Sequence, residues 1–149
     1  MGFSVSGATV VLFLGLFISF GIAYSTANNG FERVHEAYED NAAEKLARQN
    51  TAVSFNHTAV ANEGGQLYVN VTINNTGTNS LSVNDTDILI DGNYTKLRDE
   101  KMVTLEVDGN EATDLWLPGE TLRFEVEVAA EPSLVKIVTE TGVAAEEVV

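Results

Sequence analysis

No cysteine occurs in the 149 residues, which excludes disulfides and thiolate metal sites. Any exported domain here must be held by its core alone. Only two prolines are present, Pro118 and Pro132, each beside turn-like residues in "LPGE" and "EP". Positive charge is also scarce: eight Lys and Arg stand against 22 Asp and Glu, for a formal net charge of -14. Such a surface repels nucleic acid and the anionic face of a membrane, so neither is an expected partner. Excess acid with only four lysines fits the solvated surface of a protein from a high-salt cell, where screening removes most self-repulsion. An ordinary acidic extracellular domain is the alternative.

No charged side chain appears before Glu32. From Gly7 to Ala27 nothing is more polar than Thr, Ser or Tyr. At ~1.5 Å per residue this run reaches roughly 30 Å, the thickness of a bilayer core. A removable secretory signal has a basic leading segment and a shorter apolar core. "MGFSVS" supplies no basic residue, although "STA" at 25–27 has the small side chains of a cleavage site. A retained membrane anchor over 7–27, after a short tail at 1–6, is the expectation. Gly15, Ser19, Ala23 and Ala27 recur every four residues and fall on one helix face, a stripe that lets membrane helices pack closely. Small residues are common in any membrane helix, so a homodimer or hetero-oligomer is an option the stripe leaves open.

Helical spacing continues past the apolar run. Phe31, Val34, Tyr38, Ala42, Leu46 and Gln49 follow it, with charged residues on the other faces and Glu44 placed to pair with Arg48. Residues 28–50 are expected to form a stalk helix, with "NNG" at 28–30 as the place where it can kink. Ala42 and Gln49 make a poor coiled-coil seam.

After Asn50 the period changes to two. "LYVNVTI" puts Leu67, Val69, Val71 and Ile73 on one face, and "LRFEVEV" does the same with Leu122, Phe124, Val126 and Val128. Further strands are predicted over 51–60, 80–83, 87–90, 94–98, 102–107, 112–116 and 134–140. "NEGG", "NNTGTN", "DGN" twice, "LPGE" and "EP" punctuate them with turn residues. The predicted fold is therefore mainly β: a transmembrane and stalk helix, then an immunoglobulin-like antiparallel β-sandwich over 51–140. The repeated "DGN" reads as two similar hairpin turns, and 141–149 as a fraying C-terminal tail.

Catalytic chemistry finds no constellation. His35 and His57 lie on different elements without ligand-spaced partners. No phosphate-binding glycine loop or nucleophile elbow is present, and Asp85, Asp87 and Asp91 lack the spacing of a calcium loop. Trp116 reads as a packing residue. No metal, cofactor or enzymatic activity is expected. One pattern does rise above background: Asn56, Asn70, Asn74, Asn84 and Asn93 each begin an Asn-x-Thr triplet. Chance gives about two such sites at this composition, so N-glycosylation outside the cell is indicated, with a Thr- and Asn-rich β domain as the alternative. That places the tail inside and the sandwich outside.

The layout of "MGFSVSGATVVLFLGLFISFGIAYSTANNGFERV", then "LYVNVTINNTGTNSLSVNDTDILIDG" and "TDLWLPGETLRFEVEV", resembles the FlaF (ArlF) family of archaellum accessory proteins of halophilic archaea. The resemblance implies a stationary, non-enzymatic part of a rotary motor for motility, anchored in the cell membrane. Its implied partners are the S-layer protein and a FlaG-type accessory protein. Related FlaG and pilin-like proteins share phrases of this kind. A pilin- or archaellin-like filament subunit is the competing reading, although Gly7 follows Ser6 where such precursors carry a basic residue and a glycine.

Overall fold

The computed structural model describes residues 2–98 and 100–149. It opens with one helix, α1, over Gly2–Asn50, and helical structure runs through Asn28-Asn29-Gly30. Asn28 Nδ2 donates to Glu32 Oε1 one turn on, at 3.2 Å. The helix includes a stretch long and apolar enough to cross a membrane, none of it buried within the protein. The chain divides into two compact units, Met1–Ala43 and Glu44–Val149. The second unit therefore takes in the last turns of α1.

Among the described residues ten strands follow: β1 (Val53–Glu63), β2 (Gln66–Asn75), β3 (Leu81–Ser82), β4 (Asp87–Ile90), β5 (Asn93–Lys96), β6 (Met102–Val107), β7 (Leu115–Trp116), β8 (Thr121–Val128), β9 (Leu134–Val138) and β10 (Ala144–Val148). They form two four-stranded sheets, in the orders β1-β2-β8-β6 and β10-β9-β4-β5, and a two-stranded sheet of β3 and β7. All pairings are antiparallel. The expected fold class holds: a long N-terminal helix followed by an antiparallel β-sandwich.

The alternation in sequence fixes which face each strand buries. Val69, Val71 and Ile73 of β2 meet Leu122, Phe124 and Val126 of β8, and Ile88, Ile90, Val135 and Ile137 of the other sheet share their core. Even-numbered neighbours on β2 lie on the outer face beside Arg123, Glu125 and Glu127. Trp116 is fully buried, and its Nε1 donates to the Glu120 carbonyl at 2.9 Å.

Both "DGN" segments are two-residue hairpin turns. Asp91 and Gly92 have φ of 49° and 78°, and Asp108 and Gly109 have 46° and 83°. Positive φ at both central positions is the type I′ geometry whose twist matches that of paired strands, and Asp-Gly supplies it at low steric cost. The expected fraying of 141–149 is corrected. Residues 144–148 instead pair with β9, and Ala145 packs against the core. The run "AAEEV" carries too little apolar alternation to be read as a strand; a neighbouring edge with free backbone groups makes it one.

Candidate functional site at the end of the helix

An α-helix leaves its last four carbonyls without internal partners. Helices commonly solve this with a glycine just past the end, but α1 runs into Thr51 and Ala52. Here the cap comes from 24 to 32 residues further along the chain. Thr78 N–H and Asn79 N–H donate to the Asn50 carbonyl at 2.8 and 3.2 Å, and Thr76 and Gly77 N–H both donate to that of Ala52 at 2.9 Å. The Asn79 side-chain amide donates to the Ala47 carbonyl at 2.9 Å, which also accepts from Thr51 Oγ1 at 2.8 Å. The loop between β2 and β3 is thus sewn onto the helix end.

Gly77 makes the approach possible. A Cβ there would lie 2.5 Å from the Asn50 carbonyl oxygen and 2.6 Å from the Ala52 nitrogen, both backbone atoms. Behind the loop, Asn75 is fully buried. Its amide nitrogen donates to the Asn79 carbonyl at 2.8 Å and the Trp116 carbonyl at 3.1 Å, while its Oδ1 accepts from Gly77 N–H at 3.1 Å. The Asn75 backbone closes the circuit, donating to the Glu120 carbonyl at 3.0 Å and accepting from Gly119 N–H at 2.8 Å. One buried residue therefore links the helix cap to the Trp116 strand through its side chain and to the "LPGE" turn through its backbone. The predicted Glu44–Arg48 pair forms at 2.8 Å on the exposed side of the same turns.

A second clip involves Asp91, whose Oδ1 accepts from Ser133 N–H, Ser133 Oγ and Leu134 N–H at 2.9, 2.8 and 3.1 Å. The Ser133 side-chain and backbone bonds, with the Leu134 backbone bond, hold its pKa below the ordinary carboxylate value against a smaller desolvation effect. This acid joins the β4–β5 hairpin to the start of β9. Among the described residues no three His, Asp or Glu side chains cluster as a metal site. His57 is exposed on β1, and His35 lies 3.3 Å from Glu39 on α1.

The candidate glycosylation residues are spread over the domain. Asn56 is exposed at a bulge in β1, where the register with β2 shifts between Phe55 and His57. Asn70 and Asn74 are half-buried on the outer face of β2, and Asn74 Oδ1 accepts from Thr121 Oγ1 at 3.0 Å. Asn84 is exposed before β4 with Arg98 Nε donating to its Oδ1 at 3.1 Å, and Asn93 is exposed as β5 begins. Gly15, Ser19, Ala23 and Ala27 are all exposed on α1. Sequence reasoning missed Asn75, Gly77 and Asn79, because "NNTGTN" has the composition of any turn. The available signal was a helix end without a glycine cap.

Neither a protein-family model nor a curated protein matches the chain. Among solved structures it is similar to the archaellum periplasmic stator protein FlaG from Sulfolobus acidocaldarius. The identity is 14%, over 65% of this chain and 97% of that one, with a TM-score of 0.43. It is also similar to the archaellum periplasmic stator protein complex of FlaF and FlaG from the same organism, at 11% identity over 64% and 85%, with a TM-score of 0.41. No binding residue is carried over from either.

Proposed function

We propose that this chain is a non-enzymatic, membrane-anchored component of the archaellum stator that ties the motor to the S-layer. The observation that carries the reading is the joint at Gly77. A part that resists torque needs an anchor and a folded attachment domain in which the incoming end of the chain is itself firmly held. The apolar run in α1 supplies the anchor, and the sandwich the domain. A flexible linker would need none of the hydrogen bonds that seat Asn50 and Ala52 in the β2–β3 loop. The sequence resemblance to the FlaF family points to the same role, with a FlaG-type protein as companion and the sandwich on the outer side of the membrane.

Deletion of the protein tests the reading. Cells lacking it should still assemble filaments yet swim poorly or not at all, because torque has nothing to react against. Loss of the filaments themselves would point instead to a pilin- or archaellin-like subunit.

A further inference from the structure

We propose that Asn56 carries an N-linked glycan, and that Thr58 is kept on the core-facing side of β1 for the sake of that modification. The proposal rests on the outward placement of the sandwich argued above. Thr58 pairs across the sheet with the fully buried Val71, so its side chain lies on the core face. Its Oγ1 is buried without a hydrogen-bond partner among the described residues. Thr58 as a whole is half-buried, and the fully buried threonines behave differently. Thr51, Thr86 and Thr139 each donate the hydroxyl to a backbone carbonyl, of Ala47, Ser82 and Val143, at 2.8, 2.7 and 3.0 Å. An orphaned hydroxyl in a core is rare and unfavourable, and valine would fill the same space without it.

What valine would remove is the third position of Asn56-His57-Thr58, the one residue besides asparagine that an N-glycosylation acceptor requires. The bulge completes the arrangement. One extra residue between Phe55 and His57 leaves Asn56 exposed, while Thr58 stays in register with the core. The attachment point is thus open to solvent and the recognition hydroxyl is hidden. Transfer must occur before β1 closes onto β2, on the newly exported chain. The reaction needs a phosphate-activated glycosyl donor and a transferase outside the cell. The Asn56 amide nitrogen forms a bond to the sugar's anomeric carbon, the bond from that carbon to the phosphate oxygen breaks, the phosphate leaves with the electron pair, and the amide gives up one proton.

Full-length protein purified from its own membranes, digested and weighed by mass spectrometry, tests this. The Asn56 peptide should carry a sugar mass in the parent and in Thr58→Ser, and lose it in Thr58→Val and Asn56→Gln. Made in a cell without the transferase, Thr58→Val should melt higher than the parent by roughly 4 °C or more. An unmodified Asn56 peptide in the parent, or a sugar retained in Thr58→Val, overturns the proposal. Protease added to intact cells separates this from sidedness: a cleaved domain with bare Asn56 sinks the glycan alone, and a protected domain sinks the outward placement.

Discussion

At the residue scale, Asn75 and Gly77 matter through what their replacements would meet. Asn75→Asp turns the donor facing the Asn79 and Trp116 carbonyls into an acceptor, placing oxygen against oxygen in a fully buried site. The prediction is a loss of about 3 kcal/mol or more in denaturant unfolding. Gly77→Ala forces backbone against backbone at the helix end, with an expected cost of about 2–3 kcal/mol. Exchange of the Thr78 and Asn79 amides should quicken with it; unchanged protection there would mean that the loop does not hold the helix. Asp91 makes a pH-dependent contribution. Its folded pKa is depressed, so the stabilisation is complete above the unfolded value and is lost as pH falls through the lower folded value. Asp91→Asn should therefore be less stable than the parent at neutral pH and nearly equal in acid. A stability difference constant across the carboxylate range would show that Asp91 acts by shape alone.

Elements were largely legible in the sequence where a period was long enough to read. Period-two runs such as "LYVNVTI" and "LRFEVEV" became β2 and β8 with Val69, Val71, Ile73, Leu122, Phe124 and Val126 inside as expected, while Leu67 and Val128 at the strand ends are only half-buried. Asp-Gly placed two hairpins correctly because positive φ is a local demand. β10 escaped notice because its pairing partner, and no pattern of its own, makes it a strand. The joint escaped for a related reason: which helix end a polar loop will cap is a long-range fact. For α1, a prediction follows from the small-residue stripe. Gly15→Leu with Ser19→Leu should reduce crosslinking of the protein to itself or to a FlaG-type partner in membranes if the stripe is an interface. Equal crosslinking would make it ordinary helix composition.

For the whole molecule, a net charge of -14 makes salt a structural variable. The Debye length grows from ~3 Å at 1 M to ~30 Å at 0.01 M salt, so the melting temperature should rise steeply between the dilute and concentrated conditions. A flat response would remove the high-salt origin. Work on the isolated domain should use Glu44 to Val149, because cutting at Asn50 and Glu140 would discard the capped helical turn and β10. Attachment to the S-layer is tested most directly by affinity capture of the full-length protein from native envelopes. S-layer protein should be recovered with it, and sheared filaments should contain little of it. Recovery at subunit-like abundance in the filaments, with no S-layer protein bound, would contradict the tether.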